Sequence, residues 1–198
     1  MGRQASPWQT LGLNPDWNLN EELHMTTSLI LGGARSGKSA YAEKIASESD
    51  LTVTYIATAQ VYDSEFGERV AHHKSRRAKH WKTVEVPHQL ATTLQAEASP
   101  DHCLIVDCLT LWLAQCICPE CAPPEGVDWQ AERAALLTVL PTLPGKIIFV
   151  SNEVGMGIVP LGEINRQFQD EAGRLNQAIA ALCEEVIFVA AGLPLKLK

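Results

Sequence analysis

The apolar run Ser28-Leu29-Ile30-Leu31 passes directly into Gly32-Gly33-Ala34-Arg35-Ser36-Gly37-Lys38-Ser39. The second segment has the G-x-x-x-x-G-K-[ST] spacing of a phosphate-binding loop. That spacing constrains the fold, because such a loop works between a strand and a helix. Glycines let the backbone turn tightly, so successive N–H groups point inward at phosphate oxygens, and the positive end of the following helix adds to the field. Lys38 is placed to reach the β- and γ-phosphates, and the Ser39 hydroxyl to ligate magnesium. The whole segment, Gly32, Gly33, Ala34, Arg35, Ser36, Gly37, Lys38 and Ser39, is expected to line a nucleoside triphosphate site.

The required context is present on both sides and repeats along the chain. Lys38 to about Ser49 reads as a helix, and the β-branched and aromatic run Thr52 to Ala57 as a strand. Ser64 to about Arg77 reads as a helix, Thr83 to Val86 as a short strand, and about Pro87 to Ala98 as a helix opened by proline. Cys103 to Asp107 is an apolar strand ending in an acid, and about Cys116 to Pro124 is a loop. Trp129 to Leu140 is a helix, Lys146 to Ser151 a buried strand, and Val186 to Ala190 a final strand. Between the last two, about Leu161 to Cys183 forms a helix. Its Ile164, Phe168, Ala172, Leu175, Ile179 and Leu182 recur every three or four residues, which predicts one face packed on the core. Apolar strands separated by helices predict an α/β fold, a mainly parallel sheet covered on both faces, of the P-loop (RecA-like) NTPase type.

Residues 1–24 stand apart. Ser6-Pro7-Trp8 and Asn14-Pro15-Asp16-Trp17 sit among polar spacers with no sustained period, so this stretch reads as a tail outside the core, a native extension or a cloning remnant. Residues 25–198 then form the P-loop domain, with Met25 directly before the first strand. A chain of 198 residues with 46% hydrophobic content suits one domain with a sizeable core. The charge, 16 − 23 = −7, argues against nucleic acid as the main partner, since backbone binding needs clustered positive charge. There is no apolar run long enough to span a membrane and no signal-peptide pattern, so the expected location is the cytoplasm. Thiols there are usually reduced, which disfavours a disulfide framework for the 6 cysteines. Cys116, Cys118 and Cys121 offer three zinc ligands without an apparent fourth, and incidental loop cysteines are the simpler reading.

Within this acidic chain, Arg69 to Lys82 is a basic segment without an acid. On a helix Arg69, His73, Arg76 and Arg77 share one face, which sets an imidazole among guanidinium groups suited to a polyphosphate. Neighbouring positive charge favours the neutral imidazole, a good nucleophile towards phosphorus. A solvated basic helix with an incidental histidine pair fits the composition equally well. Asp107, ending a buried strand, is expected to hold the magnesium shell, a helix cap being the alternative. Glu153 follows a buried strand at the sheet's carboxyl edge, where open α/β sheets bind ligands. It is a candidate base or metal-shell group for phosphoryl transfer, again with a cap as the alternative. Arg174 reads either as a phosphate clamp or as a surface charge.

Taken together, GGARSGKS (32–39), YIATAQ (55–60), Arg69 to Glu85 with its HHK and HW elements, VDCLTLWL (106–113), SNEVGMGIVP (151–160) and AGRLN (172–176) carry a resemblance. The chain resembles the bifunctional adenosylcobinamide kinase and adenosylcobinamide-phosphate guanylyltransferase family of cobalamin biosynthesis, over nearly all of residues 26–198. The resemblance implies two reactions. ATP or GTP phosphorylates the hydroxyl of adenosylcobinamide. GTP then donates GMP to a histidine, and the phosphorylated corrinoid takes it up to give adenosylcobinamide-GDP. The resemblance carries the guanylylated nucleophile onto His73, with His72 as the alternative. It places Lys74, Ser75, Arg76 and Arg77 on the GTP phosphates, and Ala57, Thr58, Ala59, Glu85 and Asp107 at the nucleotide site. Lys38 and Glu153 are its kinase-step candidates, and Ser39 and Asp107 the candidate magnesium ligands. It further implies a homo-oligomer, a trimer being one form. A P-loop kinase of another small molecule, without guanylyl transfer, is the competing expectation, and a RecA-like nucleic-acid module a more distant one.

Overall fold

A computed structural model describes residues 26–60, 67, 77–118 and 126–198. The tail expected over 1–24, the bulk of the helix expected over 64–77, and Arg69, His72, His73, Lys74, Ser75, Arg76 and Cys121 lie outside the described residues.

The described strands are β1 (Thr27–Gly32), β2 (Thr52–Ala57), β3 (Lys82–Glu85), β4 (His102–Asp107), β5 (Lys146–Asn152), β6 (Glu185–Ala190) and β7 (Leu193–Lys196). The described helices are α1 (Lys38–Ser47), α2 (Leu90–Glu97), α3 (Leu109–Ile117), α4 (Trp129–Val139) and α5 (Glu163–Leu182). The strands form one sheet in the order β3-β2-β4-β5-β1-β6-β7. All neighbours are parallel except β6 and β7. The central strands are buried on both faces, as their unbroken apolar runs require.

Strand alternation sorts the core into two layers. On one face Leu29, Leu104, Val106, Ile147 and Phe149 meet Leu94 of α2, Trp112 and Leu113 of α3, Leu136 of α4, and Leu175 and Ile179 of α5. On the other Ile30, Tyr55, Ile105, Ile148 and Val150 meet Ala42 and Ala46 of α1, together with Trp81. Each fully buried aliphatic or aromatic side chain in these layers contributes about 1.5–3 kcal/mol. The small alanines of α1 let it lie close to the sheet, which holds the P-loop at the sheet edge.

Two local expectations need correction, and one strand was not expected. The helix expected to open at Pro87 begins at Leu90, because Gln89 takes a left-handed conformation (φ 56°, ψ 41°) that cannot continue a helix. The long helix begins at Glu163, and it does not bury its whole apolar stripe: Ala172, Leu175 and Ile179 are buried, but Ile164 and Leu182 are exposed. Its 20 residues span about 30 Å, whereas a six-residue strand spans about 20 Å, so the helix ends overhang the sheet. Strand β7 had no clear sequence signal. It is a short antiparallel edge strand, where Pro194 opposite Val189 is tolerated because an edge leaves one side unpaired.

Candidate nucleotide and phosphoryl-transfer site

The parallel strands all end at one sheet edge, and the predicted site residues that are among the described ones lie on or just beyond that edge. Gly32 closes β1 and its register partner is Asn152 at the end of β5. The next residue, Glu153, donates its backbone N–H to Gly32 O at 3.1 Å, so the β5 exit is tied to the base of the P-loop. Across the sheet Ala57 pairs with Asp107 and with Glu85, which brings the ends of β2, β3 and β4 level. One strand, β5, separates the P-loop strand from the strand bearing Asp107.

The loop's glycines answer to geometry. A Cβ on Gly32 would lie 2.4 Å from Val189 O and 2.5 Å from Ser36 Oγ. Gly37 has φ 97°, a left-handed conformation that L side chains resist, just before α1 begins. The turn is closed by Ser36 N–H on Gly33 O at 3.2 Å and is held from outside by Gly192 N–H on Ser36 O at 2.8 Å. Ala34 and Arg35 are exposed at its tip.

Lys38 is 9% exposed and donates from Nζ to Gly33 O at 3.0 Å. Burial lowers its pKa below an ordinary lysine's, with the charge of Asp107 among the influences acting the other way. An ammonium held under the loop with a carboxylate nearby is suited to receive a phosphate oxygen. Ser39, in the first turn of α1, is half-buried. A serine hydroxyl and an aspartate carboxylate are hard oxygen donors, the kind magnesium takes. Among the described residues no cluster of three His, Cys, Asp or Glu side chains is built for a metal ion. The donor set therefore fits magnesium held mainly by nucleotide phosphates and water, with one or two protein oxygens.

Asp107 accepts a hydrogen bond on Oδ2 from the Tyr55 hydroxyl. Arg77, the described end of the basic segment, places its guanidinium carbon 3.7 Å from the centre of the Tyr55 ring. Thr58 is fully buried and joins β2 to β4: its Oγ1 donates to Cys108 O and accepts from Cys108 N–H, both at 2.8 Å. Its carbonyl accepts from the Gln115 side chain, and its N–H reaches Asp107 O at 3.3 Å. Thr58 thus has its polar groups engaged within the protein. Glu85 is exposed at the end of β3.

Glu153 Oε1 accepts the Gly155 N–H at 2.9 Å, a turn bond, while the residue remains beside the P-loop. Arg174, read as a phosphate clamp or a surface charge, is paired within α5. Its guanidinium pairs with Glu171 at 2.5 Å, and Glu171 also accepts from Trp129 Nε1 at 2.7 Å, tying α5 to α4. Beyond Glu153 the loop exposes Met156, Ile158, Val159 and Leu161. It is braced from α5 by Arg166 on Leu161 O and by Gln169 on Val154 O.

Sequence reasoning missed Tyr55, Thr110 and Gln115. Thr110 Oγ1 accepts the Asn152 N–H at 2.7 Å and so anchors α3 to the β5 exit. Their partners are 40 or more positions away in the chain, which leaves no local signal beyond an aromatic in a strand and polar residues in an apolar helix.

A sequence profile of the cobinamide kinase / cobinamide phosphate guanyltransferase family matches residues 28–197. This chain belongs to that family. It is 58% identical over 170 residues to the bifunctional adenosylcobalamin biosynthesis protein CobP of Pseudomonas aeruginosa, covering 86% of this chain and 96% of that protein. It is 40% identical over 179 residues to the corresponding CobU protein of Salmonella typhimurium, covering 86% and 98%. Among solved structures, the flagellar accessory protein FlaH from Methanocaldococcus jannaschii aligns with TM-score 0.45 at 18% identity, covering 88% of this chain and 79% of that one. The activities in the family's description, a cobinamide kinase and a cobinamide phosphate guanyltransferase, are the pair that the sequence motifs implied. No helix among the described residues is long and apolar enough to cross a membrane.

Proposed function

We propose that this chain performs both family reactions on adenosylcobinamide, with one nucleotide site at the carboxyl edge of the sheet serving the kinase step and the His73 segment serving guanylyl transfer. The observation that carries the reading is the convergence of Lys38, Asp107 and Glu153 on that edge, with Arg77 packed beside Asp107 through Tyr55.

In the kinase step the acceptor hydroxyl oxygen bonds to the γ-phosphorus of ATP or GTP. The bond from that phosphorus to the β–γ bridging oxygen breaks, and the nucleoside diphosphate leaves. Lys38 and the loop N–H groups hold the phosphates and offset charge on the departing oxygen. Glu153 would take the hydroxyl proton. Ser39 and Asp107 would hold magnesium, which when bound neutralises phosphate charge. In the second step an imidazole nitrogen of His73 bonds to the α-phosphorus of GTP and pyrophosphate leaves. A phosphate oxygen of the corrinoid then displaces the histidine and gives the GDP-linked product. The covalent stage divides one difficult transfer into two easier ones. Lys74, Ser75, Arg76 and Arg77 would neutralise the phosphates. Residues 25–198 form the unit that does this, in the cytoplasm, as a homo-oligomer. The exposed apolar loop from Met156 to Leu161 supports that assembly.

Incubation with α-labelled GTP tests the covalent step. The label should stay on the protein in base and leave in acid, and His73→Ala should abolish it. Full labelling of that variant would move the nucleophile to His72 or elsewhere. A wild-type protein that phosphorylates its acceptor but never takes the label would be a kinase only.

A further inference from the structure

Tyr55 touches both halves of this machinery. It stands on β2, is 1% exposed, and belongs to the core layer under α1. A phenylalanine would fill the same volume, so the hydroxyl calls for an explanation. Register places Tyr55 beside Ile105 and Ala57 beside Asp107, so the two side chains rise from the same face of adjacent strands. The phenol donates to Asp107 Oδ2. Burial, reinforced by the Asp107 charge, holds its pKa well above the usual tyrosine value, so it stays a donor.

One face of the ring carries Arg77, 3.7 Å from ring centre to guanidinium carbon. Arg77 Nε and one terminal nitrogen are buried and lack a hydrogen-bond partner among the described residues. Buried, unpaired guanidinium donors are unfavourable until an anion meets them, and phosphate is the group their planar fork matches. Stacking on an aromatic face leaves the in-plane N–H groups free for such a partner. Arg77 and Asp107 have opposite charges, and Tyr55 separates them, donating to one through its hydroxyl and supporting the other on its ring.

We propose that Tyr55 is a positioning residue for both half-reactions: its hydroxyl fixes the Asp107 carboxylate beside the P-loop, and its ring seats Arg77 with donors left for a nucleotide phosphate. This rests on the two-reaction reading above. Without the phenol, Asp107 is free to turn towards the buried Lys38 ammonium instead of the nucleotide's metal. Without the ring, the guanidinium loses its plane.

The test compares Tyr55→Phe, Tyr55→Leu and Arg77→Ala with wild type by equilibrium binding of a fluorescent GTP analogue, titrated with magnesium, and by α-label transfer. Tyr55→Phe keeps the ring and loses one charge-assisted hydrogen bond, so the magnesium needed for half-maximal enhancement of binding should rise about tenfold. Arg77→Ala should leave that midpoint in place and cut label transfer about tenfold or more. Tyr55→Leu should show both defects. If Tyr55→Phe loses affinity with an unmoved magnesium midpoint, or loses label transfer as fully as Tyr55→Leu, the positioning role is wrong. Should Tyr55→Leu not fold, Tyr55→Phe and Arg77→Ala decide the matter alone. Failure of wild type to take the label sinks the two-reaction reading instead, and the binding titration still reports on Tyr55 and Asp107.

Discussion

The Lys38 ammonium lies 3.0 Å from the carbonyl oxygen of Gly33, a residue of its own loop. A triphosphate must draw that ammonium onto its own oxygens, so nucleotide binding exchanges an internal hydrogen bond for a charged one. Lys38→Ala removes the charged contact, and a loss of about 1.5–3 kcal/mol in nucleotide binding is expected. The kinase rate should fall further, because charge grows on the bridging oxygen during transfer. Burial has also lowered the Lys38 pKa. A polyanion binds the protonated form, so affinity should fall as pH rises through a value below that of an ordinary lysine. Titration calorimetry across alkaline pH checks this. Lys38→Arg should flatten that limb, since a guanidinium does not deprotonate there.

Gly32→Ala probes the loop without touching charge. The added methyl meets the backbone oxygen of Val189 at 2.4 Å, and that strand is paired on both sides, so its backbone does not yield cheaply. The loop must shift instead. Stability is expected to fall by about 1–3 kcal/mol through local strain. Phosphoryl transfer should fall by a larger factor, since misplacement near 1 Å costs about a hundredfold. Thermal unfolding and initial rates, measured on the same preparation, separate the two.

The P-loop, the parallel sheet and the clustering of Asp107 and Glu153 at its edge were legible because each is a local pattern. Apolar runs mark β4 and β5, and the motif spacing dictates the turn at Gly32 to Ser39. Arg174 shows how a local signal can be passed over. Its charge looked equally apt for phosphate, yet Glu171, three positions earlier on the same helix, is its partner. The link from Tyr55 to Asp107 spans 52 positions, and nothing in either segment announces it. The exposed Ile164 shows the converse. Periodicity gives a helix its apolar stripe, but strand length decides how much of the stripe is covered.

The thiols should divide by burial. Cys108, Cys116 and Cys183 are buried, and burial pushes each up to about 12, while Cys103 is raised to about 11. The thiolate is the reactive form, so these groups should resist alkylation in the native protein at neutral pH. Cys118, half-buried at the end of α3, should react sooner. Mass mapping after brief iodoacetamide treatment, with a denatured control, checks this. Rapid native labelling of Cys108 would mean that the Thr58–Cys108 contact opens readily.

Trp129 and Glu171 give a pH-dependent stability term remote from the chemistry. The indole N–H donates to Glu171 Oε2 at 2.7 Å, while Trp129 packs edge-on to Trp112 with ring centres 5.2 Å apart. The Trp129 bond is the largest cause of the lowered Glu171 pKa, with the Arg174 pair adding to it. A depressed carboxylate pKa stabilises the folded state above the unfolded-state pKa, and that contribution fades as pH falls through the lower folded value. Trp129→Phe keeps an aromatic contact and leaves Glu171 without its indole donor. A loss of about 1–3 kcal/mol is expected at neutral pH. The gap to wild type should narrow below the usual glutamate range, where the wild-type carboxylate also protonates. Urea unfolding of both proteins from pH 7 downward measures it. A gap that stays constant with pH would assign the loss to packing against Trp112 rather than to the hydrogen bond.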